Sequence, residues 1–298
     1  MDANLWQGTA FTAATAMDWF QTERTNLLAV LRAAAAQRWD DVVWQLCEAL
    51  WAFYHSRKHH ADWIEAHQLG IEAAVRLGDR TVEARMYNQL ARAHLELADF
   101  DRASDELDAA MEAALASGEP RAEAVVLESF GVLRREQGRY TDAIGRFRES
   151  RAINEILRDQ RGIALQSYHL GDVLLRSGQP NEALAALEDA RQISCRLGDE
   201  MTDARIRIVL GSVYRALDRD IEARRMLGSA VATMRERRQP VKEAQALEIL
   251  VAVARHDLDG ELFADSARRL LELYEETGSP RATVVRRWIE SGVRPDDA

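Results

Sequence analysis

The chain has 298 residues, 47% of them hydrophobic, with a formal net charge of −10. Such a length suits one large or two ordinary domains, and such a hydrophobic share excludes a disordered polymer. An acidic chain repels a phosphate backbone, which argues against direct nucleic-acid binding, and no stretch approaches the roughly 20 apolar residues that span a bilayer.

In chain order, the first predicted element is a helix over AMDWFQTERTNLLAVLRAA, residues 16–34. From Asp79 onward the sequence keeps a register. RLGDRTVEAR at 76–85 is echoed by RLGDEMTDAR at 196–205, an offset of 120 residues. The interval divides by three. Stepping 40 residues from Ala84 meets Ala124, Ala164, Ala204 and Ala244. From Leu90 the same step meets Phe130, Leu170, Leu210 and Leu250, and from Ala91 it meets Gly131, Gly171 and Gly211. From Ala103 it meets Ala143, Ala183 and Ala223, and from Leu107 it meets Phe147, Leu187 and Leu227. A fixed period of this size marks stacked repeats.

Each repeat divides at a short polar break: ADFDRA, GRYTDA, GQPNEA and DRDIEA. Apolar residues on either side recur at three and four, which is helical spacing. The expected repeat is helix–turn–helix. Gly138 and Gly178 suit helix C-termini, Pro180, Pro240 and Pro280 suit first turns, and Ser279 suits an N-cap. Glycines at 131, 171 and 211 sit mid-helix, where each costs about 1 kcal/mol against alanine. Close approach of the second helix through Ala143, Ala183 and Ala223 is the expected compensation, with Phe147, Leu187 and Leu227 filling the gap between layers. The same frame run backwards makes 41–77 a divergent repeat, with Trp63 where alanine is expected. The domain reading is an N-terminal helix plus Trp-rich repeat over 1–78, five helix pairs over 79–277, and a capping helix with a frayed tail over 278–298. The capping helix is expected at 280–290 with Trp288 facing inward.

Six of the seven tryptophans fall within residues 1–63. At helical spacing they read first as core; a docking face for another domain is the alternative. Cys47 and Cys195 are expected to be reduced, buried thiols.

Leu210, Gly211, Tyr214, Ala223, Leu227 and Ala230 form a pattern, as do Phe130, Gly131, Gly138, Tyr140, Ala143, Phe147 and Ser150. That pattern resembles the tetratricopeptide repeat, whose usual period is 34. The six extra residues are expected to lengthen mainly the second helix. The resemblance implies an all-α fold, a right-handed superhelical α-solenoid with first helices lining the concave side. The N-terminal stretch and the LGD-punctuated repeats also resemble the C-terminal sensor region of actinobacterial signal-transduction and antibiotic regulatory proteins. No phosphate-binding loop accompanies it: neither Lys58 nor Lys242 follows a glycine.

No constellation of catalytic residues emerges. His55, His59, His60 and His67 cluster in sequence, but the frame puts Lys58–Trp63 at the interhelical turn, so they share no helical face. His169 reads as a packed or solvated first-helix residue. No metal or cofactor is expected, and no Gly-x-Ser-x-Gly elbow occurs.

Register carried over from the family places Arg85, Asn88, Arg92, Glu128, Arg135, Tyr168, Asp172, Arg205, Arg215 and Arg255 toward the groove. The expected partner is a protein or peptide, acidic or carboxylate-bearing, with Arg forks to receive it. The expected role is a cytoplasmic, non-catalytic binding module, the sensor or scaffold of a regulator. The alternatives are a self-association module forming a homo-oligomer and an enzyme with an atypical groove site.

Overall fold

The computed structural model describes residues 13–256 and 258–291. Trp6 and the tail expected to fray from Gly292 lie outside the described residues. Among the described residues there is no strand.

The chain forms two compact units, the first ending at Gln137 and the second starting at Gly138. The first holds α1 (Ala13–Ala36), α2 (Asp40–Arg57), α3 (His60–Leu77), α4 (Arg80–Glu96), α5 (Phe100–Ser117) and α6 (Pro120–Glu136). The second holds α7 (Tyr140–Ile156), α8 (Gln160–Arg176), α9 (Pro180–Leu197), α10 (Glu200–Ala216), α11 (Asp220–Glu236), α12 (Pro240–His256), α13 (Gly260–Glu276) and α14 (Ala282–Ser291). In each unit consecutive helices pack against one another, giving an all-α repeat solenoid.

Local chemistry starts and stops the helices. Asp79, Asp99, Asp159, Asp199 and Asp259 accept hydrogen bonds from first-turn N–H groups. Pro120, Pro180 and Pro240 head α6, α9 and α12. Pro280 stands in the turn before α14, not within its first helical turn. Helices end on a left-handed residue at 38, 58, 78 and every 20 residues onward to 278, glycine at six of these positions and a residue such as Arg158 or Leu258 at the others. After α4, for example, the Ala98 and Asp99 N–H groups donate back to Leu95 and His94 carbonyls. First helices of the repeats have 17 residues and second helices 17 or 18. The 40-residue period is therefore two equal halves, and the expected lengthening of the second helix is not found: an identical turn closes both halves.

In the first unit the core gathers Leu31, Val43, Cys47, Leu50, Phe53, Tyr54, Trp63 and Met86. Trp63 is fully buried, and Trp44 and Trp51 pack on that core. Trp19 and Trp39 are instead 45% and 61% exposed. The core reading therefore holds for Trp44, Trp51 and Trp63 and not for Trp19 and Trp39. Burial pushes the Cys47 thiol up to about 12, whereas Cys195 is exposed, contrary to expectation, because it lies near the end of α9 with its side chain off the packed stripe.

In the second unit, Gly171 and Gly211 are crowded by Leu187 and Leu227, whose Cδ2 atoms lie 2.6 Å from where a Cβ would stand. These large residues fill the space that the glycines leave.

Candidate functional site

First helices in each unit reach past their sequence neighbours. In the first unit α4 packs on α2 and α6 as well as on its sequence neighbours; in the second, α10 packs likewise on α8 and α12. The residues that the register assigns to the groove lie on these first helices in each unit.

On the first unit's face, Arg85 is exposed, with its guanidinium 3.6 Å from the Glu48 carboxylate. Asn88, one turn on, is only 8% exposed and its Oδ1 has no hydrogen-bond partner. Arg92 follows another turn later, half-buried, with Nη1 also unpartnered. Glu128 and Arg135 of α6 are half-buried, and Arg135 donates to Glu136 at 2.8 Å. Between α4 and α6 lies a cleft of about 240 Å³ bounded by Ala84, Arg85, Asn88, Glu119, Ala122 and Val125.

On the second unit's face, the Arg205 guanidinium lies over the Tyr168 ring, 5.2 Å from its centroid. Asp172 pairs with Arg176 at 3.3 Å, and Arg215 is exposed. Arg255 sits 5.9 Å over the Trp288 ring, tying α12 to the terminal helix. Trp288 is half-buried.

The turn between α2 and α3 brings two of the histidines to one carboxylate. α2 runs to Arg57 and α3 begins at His60, so the turn is shorter than expected and Trp63 is inside α3. His55 and His60 both approach Glu96, at 3.4 and 2.8 Å, and Lys58 reaches it at 2.5 Å. Burial works to raise the Glu96 pKa, but hydrogen bonds from Lys58 and His60 outweigh it and hold the carboxyl below its ordinary range. The signal was available: Glu96 is one period from Ser56, so stacking sets it beside that turn. Among the described residues no group of three or more His, Cys, Asp or Glu is placed to hold a metal ion.

His67 is fully buried; its Nδ1 donates to the Trp63 carbonyl at 2.9 Å and its Nε2 faces the Gln89 side-chain amide at 2.9 Å. Burial lowers its pKa to about 4. His169 stacks flat on Phe147, 5.0 Å between centroids, as a packed residue.

The model of the tetratricopeptide repeat matches residues 64–156 and 163–236. The chain belongs to the tetratricopeptide repeat family. No curated protein matches its sequence. Among solved structures it is similar to the apo form of RapI, 13% identical, covering 87% of this chain and 96% of that one with a TM-score of 0.66. It is also similar to BtubC (BKLC) from P. vanneervenii, 17% identical, covering 74% and 92%, TM-score 0.65. The Rap conjugation gene regulator of plasmid pLS20, in complex with the Phr* peptide, is 15% identical, covering 83% and 74%, TM-score 0.60. At these identities the likeness is one of fold. No helix among the described residues of this tetratricopeptide repeat protein is long and apolar enough to cross a membrane.

Proposed function

We propose that this tetratricopeptide repeat protein is a non-catalytic binding module for an acidic or carboxylate-bearing protein or peptide segment, serving as the sensor or scaffold part of a cytoplasmic regulator of the actinobacterial type. One observation carries the reading. The groove residues expected from register include arginines held with donors unspent: Arg205 stacked on Tyr168 with Nε unpartnered in one unit, and Arg92 with Nη1 unpartnered in the other. A stacked guanidinium has lost its freedom already, so its fork meets a carboxylate with little further ordering. The pLS20 regulator, of similar fold, is in complex with a peptide, which supports a peptide as the occupant.

The test takes a partner recovered by pull-down and compares it on the wild type and on Arg205→Gln with Arg215→Glu. Affinity falls by about tenfold or more and loses salt dependence, while the melting temperature holds. Unchanged affinity of a folded double variant ends the groove reading. A second reading, self-association, is favoured by the exposed Trp39, Trp19, Val30 and Val42 of the first unit. Light scattering decides it: Trp39→Glu dissociates an oligomer, and a monomeric wild type ends the idea.

A further inference from the structure

The cleft between α4 and α6 of the first unit has a chemistry of its own. Its walls are apolar: Ala84 from α4, and Ala122, Val125 and Val126 from α6. Val125 stands 46% exposed and adds apolar surface to the cleft. Its rim carries both signs of charge. Arg85 and Arg121 bring guanidinium groups and Glu119 a carboxylate.

Glu119 departs from its register. At the equivalent positions Asp79, Asp159 and Asp199 turn their carboxylates inward and accept first-turn N–H groups. Glu119 holds the N-cap position of α6 yet its side chain makes no capping hydrogen bond. Glu119 lines the cleft instead. An independent observation lies deeper. Asn88, more than nine-tenths buried, lines the same cleft and has an amide oxygen without a partner. A buried unpaired amide is unfavourable by itself and is satisfied once a polar ligand group turns toward it.

We infer that this cleft binds a free aliphatic α-amino acid. The aliphatic side chain packs on Ala122, Val125 and Val126, the carboxylate meets Arg85 and Arg121, and the ammonium meets Glu119. The Asn88 Oδ1, an acceptor without a partner, takes a hydrogen bond from the ammonium. A volume of about 240 Å³ lies below the range of drug-sized pockets and suits one residue-sized molecule. The mixed rim favours a zwitterion over an acidic peptide segment, which Glu119 repels. The inference rests on reading first-helix faces as binding surfaces, but it concerns a small effector, distinct from the macromolecular partner.

Calorimetry on the full chain tests it with L-leucine, its deaminated analogue 4-methylpentanoate, and L-leucinamide. Leucine binds with one-to-one stoichiometry, and each analogue, lacking one charge, binds about tenfold more weakly or worse. Glu119→Gln weakens leucine to the level of 4-methylpentanoate and leaves the latter unchanged. Ala122→Leu fills the cleft and removes binding; if it fails to fold, Glu119→Gln, at an exposed position, still decides. No leucine binding at about 10 mM, equal binding of the three ligands, or tighter binding of a leucine-ended peptide than of leucine overturns the inference. Its failure is separable from failure of the groove reading: Glu119→Gln leaves Arg205 and Arg215 intact, so partner binding is measured on the same variant.

Discussion

Leu187 occupies the space that a side chain at residue 171 would need: its Cδ2 lies 2.6 Å from the ideal Cβ position of Gly171, and Leu227 stands in the same relation to Gly211. Gly171→Ala forces Leu187 from its place and destabilises the protein by about 1–3 kcal/mol despite alanine's better helix propensity. Gly228, inside α11 with nothing within 4 Å of an added Cβ, is the control. Gly228→Ala stabilises by about 0.5–1 kcal/mol. Urea denaturation of the two variants checks the opposite signs.

Where the helix-ending residue is not glycine, the backbone carries strain. Leu258 has φ 55° and Arg158 φ 53°. Leu258→Gly and Arg158→Gly therefore each raise stability by about 0.5–1 kcal/mol, since a left-handed conformation costs an L-residue roughly 1–2 kcal/mol and glycine much less. Gly118→Ala, at φ 68°, moves the other way. Thermal melts of all three variants are the measurement.

His67 makes the fold sensitive to acid. Burial lowers its pKa to about 4 from an ordinary 6.5. The unfolded chain therefore binds a proton below pH 6.5 that the folded chain refuses until about pH 4. Stability from this group is complete above pH 6.5 and is lost as pH falls through that window, by up to about 3 kcal/mol. His67→Asn is less stable at pH 7, and its stability changes less between pH 6.5 and 4.5 than the wild type's. Parallel denaturation curves at both pH values show whether the difference exists; identical slopes refute it.

Glu243, 2% exposed, joins three helices of the second unit. Arg235 and Arg269 each donate to it at 2.9 Å. Burial works to raise its pKa, but the two arginines outweigh burial and hold it ionised. Glu243→Gln leaves two guanidinium groups facing a neutral amide and costs about 2 kcal/mol, less than a fully buried pair because Arg235 is half in solvent. Chemical denaturation at neutral pH measures the loss.

Much of this protein was set by sequence alone. A 40-residue register of small and large apolar residues, punctuated by capping aspartates and by glycines such as Gly78 and Gly178, dictates helix pairs and their breaks, because capping and helical periodicity act over a few residues. A shared face was legible for the same reason: Arg85, Asn88 and Arg92 are three to four apart on α4. Tertiary structure alone decided what those side chains meet. Arg205 lies on Tyr168, Arg255 lies on Trp288, and Cys195 is exposed. It brought His55, Lys58 and His60 onto Glu96, and it left Asn88 without a partner beside Glu119. A one-dimensional period fixes which face a residue occupies, whereas a contact between helices depends on rotamer, helix separation and side-chain length.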